Sequence, residues 1–145
     1  MSQQRLSYHV VARTSDRDVS SATIKETTIS FDSSAGQSAV LPGPADLLTL
    51  AFAACVLKNV ERFSRMLPFR YAGASIEVTS ERQAAPPRII QIRYVLRLQT
   101  DEPSQRVDLL HRNIRKFGTI YNTLASTCDV DGEIVAEAPI DLGIG

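Results

Sequence analysis

Between Pro44 and Leu57 the chain reads Pro-Ala-Asp-Leu-Leu-Thr-Leu-Ala-Phe-Ala-Ala-Cys-Val-Leu, apolar at nearly every position. Gly43-Pro44 marks the start of a helix, because proline lacks only an N–H that the first helical turn leaves unpaired anyway. A helix apolar on almost every face is a buried helix, so this segment is expected at the centre of the fold. A chain of 145 residues can hardly cover it completely, which raises the expectation that a partner subunit covers part of it. From Lys58 the pattern turns amphipathic through Val60, Phe63, Met66 and Leu67, and Pro68 ends the helix.

The segments on either side read mainly as strands. Residues 6–13 form a first strand with a turn at 15–18, and residues 19–31, rich in Thr and Ile, form a second strand with room for a bend. Residues 33–38 are a loop. After the long helix, residues 71–81 and 89–98 are strands linked through Ala84-Ala-Pro-Pro87. The alternation in the latter is clean, with Ile90, Ile92, Tyr94, Leu96 and Leu98 on one face. Pro103 opens a second helix carrying Val107, Leu110, Ile114 and Phe117 at helical spacing. Gly118 breaks it, residues 120–125 continue it briefly, and a last strand starts at Asp129. The order ββ-α-ββ-α-β predicts a single α+β domain over residues 1–145, with mostly antiparallel sheets around the buried central helix.

Composition excludes several function classes. Sixteen basic residues balance sixteen acidic ones, so the basic excess that marks a nucleic-acid footprint is missing. Near-neutral charge also removes the repulsion that keeps copies apart, which favours self-association. The start, Met-Ser-Gln-Gln-Arg, shows no signal-like apolar region, and the longest apolar run is shorter than a membrane span. A cytoplasmic protein is therefore expected, with its thiols kept reduced. No glycine-rich phosphate loop follows a strand, and His9, His111 and the cysteines lack metal-ligand spacing, so no cofactor or metal is expected.

The two cysteines carry the chemistry, if any is present. Cys55 lies in the apolar helix and Cys128 at a helix-to-strand junction. On the residues alone the reading as a small buried hydrophobe leads for Cys55 in its apolar helix, and for Cys128 it stands level with a functional one. A catalytic thiol must ionise, whereas an ordinary thiol is only about 3% thiolate at pH 7. Cys55 sits about three turns into its helix, beyond the reach of the N-terminal dipole. A fixed arginine about 4 Å away would supply on the order of 4 kcal/mol at an effective dielectric near 20. Arg13 and Arg17, on the first strand and its turn, are the arginines able to arrive over a sheet edge. Asp46, third in the helix, reads either as a cap for free N–H groups or as the partner that holds such an arginine.

Pro44-Ala-Asp-Leu-Leu48, Ala53-Ala-Cys55 and Thr127-Cys-Asp-Val130 together resemble the OsmC/Ohr family, over almost the whole chain. The resemblance implies an intertwined α+β homodimer with two sites at the subunit interface. It also implies thiol peroxidase activity on organic hydroperoxides in oxidative-stress defence, with electrons from an external dithiol of the lipoyl type. Carried over, Cys55 matches the attacking cysteine, Cys128 the resolving cysteine and Arg17 the activating arginine. Phe52 and Leu48 would line the substrate side of Cys55, with Asp46 nearby. The peroxidase branch carries a glutamate directly after the proline. Here that place is Ala45, with the acid one residue later at Asp46, a pattern more like the OsmC-like branch than Ohr proper. The rival expectation is a non-catalytic binding protein with an apolar interface pocket.

Overall fold

The computed structural model describes residues 5–139, and the chain divides into two compact units at Leu48/Thr49. The first unit holds a three-stranded antiparallel sheet of β1 (Val11–Thr14), β2 (Val19–Ile24) and β3 (Thr27–Asp32), in that order. The stretch 19–31 is thus not one strand with a bend but a hairpin, in which Ile24 pairs with Thr27 across Lys25-Glu26. Lys25 takes φ 56°, a left-handed conformation usually left to glycine or asparagine. With neither residue at the turn, and with β-favouring Thr and Ile on both sides of Lys25-Glu26, a propensity reading finds no break. The first strand is also shorter than expected and starts at Val11.

The loop after β3 is organised by one carboxylate. Asp32 accepts hydrogen bonds from the Ser34 N–H and hydroxyl and from the Ser38 N–H. These bonds, that from the Ser34 side chain first, hold its carboxyl below the usual range. The loop leads to Gly43 and helix α1 (Pro44–Met66). There the Asp46 carboxylate accepts the Gly43 N–H at 2.9 Å, the reach-back half of a capping box.

The second unit contains the core. Its sheet has β4 (Gly73–Ala84), β5 (Pro87–Gln99) and β6 (Asp129–Glu137) in that order, with β4–β5 antiparallel and β5–β6 parallel. The parallel pair needs a crossover, and helices α2 (Ser104–Phe117) and α3 (Thr119–Ala125) supply it. The observed order is therefore βββ-α-ββ-αα-β, still α+β. On β5, Ile92, Tyr94, Leu96 and Leu98 are buried, as their alternation predicts. They meet Phe52, Val56, Val60 and Phe63 of α1 and Val107, Leu110 and Ile114 of α2 in one cluster. Burying a side chain of this kind is worth about 1.5–3 kcal/mol, so this cluster dominates the unit's stability.

The expectation that α1 is buried on all faces fails for this chain. Leu50 is 61% exposed, and Leu48 and Leu57 are each 37% exposed. The helix lies on one side of a single sheet, which covers one stripe and leaves the opposite face uncovered.

Two aromatic contacts constrain the core closely. Gly132 of β6 lies opposite Tyr94 of β5, and a Cβ there would sit 2.4 Å from the Tyr94 ring. Only glycine leaves room for that ring to lie across the neighbouring strand. The Tyr94 hydroxyl meets His111 Nε2 of α2 at 2.7 Å. Burial, and then the nearby Arg115, push the His111 imidazole below its ordinary value, with Asp108 and Asp131 opposing weakly. The folded state therefore binds fewer protons here than the unfolded chain does. The resulting stability is present above the unfolded-state pKa of about 6.5 and is lost as pH falls from there toward the lowered folded value. Thermal midpoints recorded between pH 7.5 and 5 should fall in this window, and His111→Gln should flatten the fall.

Candidate active site

Cys55 is half-buried on α1 and packs against the core cluster of the second unit. Two neighbours define its sulfur. The Asn59 side-chain amide, one turn later, donates to the Cys55 carbonyl oxygen at 2.8 Å and approaches Cys55 Sγ at 3.5 Å. Across from it stands Gly118, between α2 and α3, where a Cβ would lie 3.2 Å from Cys55 Sγ. The same Cβ would lie 3.0 Å from both the Ile114 carbonyl oxygen and Tyr121 Cβ. Gly118 has ordinary φ and ψ of −71° and 122°, so close approach rather than backbone freedom is what its missing side chain provides.

Cys128 is also half-buried against the same cluster. Its thiol points to the Leu124 carbonyl oxygen at 3.3 Å, and its N–H bonds the same oxygen at 2.9 Å. Cys55 Sγ thus neighbours Gly118 before the start of α3, and the Cys128 thiol bonds Leu124 near its end. Those two residues are separated by about 9 Å along a helix axis.

Phe52 is fully buried, its ring 5.6 Å from Tyr94 and 5.4 Å from Tyr121 between centroids. It forms part of the wall behind Cys55. Tyr121 is buried as well, and among the described residues its hydroxyl has no well-directed hydrogen-bond partner. Leu48, Phe52 and Cys55 follow one another on α1 at spacings of four and three residues, the spacing of one helix face. The remaining candidates belong to the first unit. Arg13 is exposed on β1 opposite Ser21, Arg17 is exposed in the turn between β1 and β2, and Asp46 caps α1 as described.

Asn59 and Gly118 escape a reading of the sequence alone. Asparagine is a poor interior helix residue, because its amide competes for backbone bonds, and that mismatch was the available signal. Gly118 reads simply as a helix break until the chain packing over it is known. The basic run 111–116 is mostly a solvated face, with Arg112, Arg115 and Lys116 exposed and Ile114 buried. Among the described residues no group of three or more His, Cys, Asp or Glu is placed to hold a metal ion. No helix among them is long and apolar enough to cross a membrane.

The fold has clear relatives among solved structures. An OsmC-like protein from Mycoplasma pneumoniae aligns with TM-score 0.81 at 16% identity, covering 94% of this chain and 100% of that one. The organic hydroperoxide resistance protein OhrB of Bacillus subtilis aligns with TM-score 0.64 at 18% identity, covering 89% and 98%. An organic hydroperoxide resistance protein OsmC from Legionella pneumophila aligns with TM-score 0.67 at 12% identity, covering 92% and 99%. At these identities the likeness establishes the fold. No curated protein matches the chain. The family model described as OsmC-like protein matches residues 35–133, a span that takes in α1, both strands after it, α2, α3 and Cys128. This chain therefore belongs to the OsmC-like protein family.

Proposed function

We propose that this protein is a thiol peroxidase that reduces organic hydroperoxides, acting as one domain in a homodimer in the cytoplasm. The observation that carries the reading is the setting of Cys55. Its free thiol is only half-buried, lies close against Gly118, has a side-chain donor beside it, and packs on the cluster that includes Phe52 and Tyr121. Two of the solved relatives are organic hydroperoxide resistance proteins, which supports the same substrate class. The apolar surroundings favour an alkyl hydroperoxide over hydrogen peroxide, with Leu48 on the substrate side and Phe52 buried in the wall behind.

The chemistry runs in three balanced steps. The Cys55 thiolate attacks the terminal peroxide oxygen, the O–O bond breaks, and the departing alkoxide takes a proton to leave as the alcohol. Cys55 is then a sulfenic acid. The Cys128 thiol attacks that sulfur, an S–S bond forms and water leaves. An external dithiol, of lipoyl or similar type, reduces the disulfide and is itself oxidised to a disulfide. Arg17 supplies the cation that holds the thiolate and polarises the peroxide, with Asp46 near that arginine. A disulfide requires Cα atoms within about 7 Å. The condensing step therefore needs the turn from Leu124 to Cys128 to present the second thiol within that reach of Cys55.

Adding one equivalent of cumene hydroperoxide and counting the remaining thiols tests the reading. Consumption of both, with release of cumyl alcohol, supports it, whereas two intact thiols favour the non-catalytic binding protein. The homodimer rests on the uncovered face of α1, where Leu50 is 61% and Leu57 37% exposed. Sedimentation at micromolar concentration should show a dimer and no monomer. A monomer with intact secondary structure would remove the interface-site model.

A further inference from the structure

We propose that Asn59 is the positioning residue of the Cys55 thiolate, its side-chain amide serving the sulfur and the Cys55 carbonyl at once. The inference rests on Cys55 being the reactive thiol, as read above. Asn59 is buried, with 7% of its surface exposed, in the middle of α1. An asparagine there gives up helix propensity and has its polar amide removed from water, so that amide needs partners. Its NH2 group carries two hydrogens, and Cys55 offers two acceptors, the carbonyl oxygen at 2.8 Å and Sγ at 3.5 Å.

The orientation of the amide follows from the contacts. Turned the other way, Asn59 would set its own oxygen against the Cys55 carbonyl oxygen, two acceptors in hydrogen-bond range with no proton between them. The nitrogen therefore faces Cys55. A donor aimed at sulfur stabilises the thiolate more than the thiol, since a hydrogen bond to a charged acceptor is about twice as strong as one to a neutral acceptor. The carbonyl contact fixes the amide to the helix backbone, so the donor keeps its place as the sulfur ionises. Gly118 completes the arrangement by presenting no side chain on the sulfur's other flank. Asn59 thus orients the sulfur from one side while the Gly118 backbone packs close on another, and the half-buried thiol is reached from its remaining exposed side.

The test uses the full chain carrying Cys128→Ser, in which Cys55 is the sole cysteine. Its alkylation by iodoacetamide is followed from pH 5 to 10, beside the same chain with Asn59→Ala or Asn59→Asp. Loss of the donor should move the midpoint of the profile up by about one pH unit, slowing alkylation at pH 7 about tenfold. Asn59→Asp keeps the shape but places an acceptor at the sulfur, and should move the midpoint at least as far. Thermal unfolding of each variant establishes which of them fold. A folded variant of either kind with the parental profile would reduce Asn59 to a packing residue and overturn the proposal. The readout involves no peroxide. A shifted profile in a protein inert to hydroperoxides would therefore leave Asn59 in its role and refute the peroxidase reading, and an unshifted profile in an active peroxidase would do the reverse.

Discussion

Cys55→Ser is expected to abolish hydroperoxide reduction, while Cys128→Ser should permit one turnover and then stop. The difference follows from what each sulfur does. The serine hydroxyl at position 55 has no accessible anion near neutral pH and is a far weaker nucleophile, so no oxygen transfer should occur and Cys128 should stay reduced. With Cys128→Ser the first step is intact. One equivalent of alcohol should form, and Cys55 should persist as a sulfenic acid trappable by dimedone. The parent should instead close an intramolecular Cys55–Cys128 disulfide, visible by mass spectrometry as a loss of two hydrogens. Two other outcomes are informative. Continued turnover of Cys128→Ser with a small dithiol would mean that the external thiol attacks the sulfenic acid directly, which the half-buried position of Cys55 would allow. Oxidation of Cys128 in the Cys55→Ser variant would reverse the assignment of the two thiols.

The parts of this molecule legible in its sequence are those whose cause is local. The alternation of β5 and the helical spacing of Val107, Leu110 and Ile114 reflect one core face, and both survive in the structure. Cys55 lies on the helix where the apolar run puts it, and Asp46 bonds the Gly43 N–H as an acid at that position does. What escaped was set by neighbours distant in sequence. Nothing within residues 129–137 says that β6 runs parallel to β5, since that depends on the path of α2 and α3. The hairpin at Lys25 carries no turn residue of the usual kind. The exposed face of α1 has the composition of a buried one, and only the one-sided sheet beneath it separates the two. The surroundings of Cys55 follow the same rule. The cysteine is conspicuous in the sequence, but the glycine that lets the backbone pack against its sulfur lies sixty-three residues further on.

The remaining large effect concerns the cation. Arg17→Ala is expected to slow both peroxide reduction and alkylation of Cys55 at neutral pH by as much as a few hundredfold to a thousandfold. Arg13→Ala should change either rate little. The magnitude comes from the roughly 4 kcal/mol that a guanidinium about 4 Å from a thiolate contributes at an effective dielectric near 20. At about 1.4 kcal/mol per decade, its loss corresponds to about three powers of ten before any gain from relieved desolvation. Asn59, a neutral donor, accounts for only about one decade, so the two residues should be distinguishable by magnitude alone. Lysine at position 17 should recover part of the rate, because it restores the charge without the planar fork that fits two oxygens or a sulfur and an oxygen together. Asp46→Asn separates the two readings of that acid. If it only bonds the Gly43 N–H and complements the helix end, the change costs about 0.3–1 kcal/mol of stability and leaves turnover nearly intact. If it also holds the arginine, turnover should fall much further than stability does. Equal rates in the parent, Arg17→Ala and Arg13→Ala would mean that neither arginine reaches the thiol. A peroxidase assignment would then have to find its cation elsewhere in the protein.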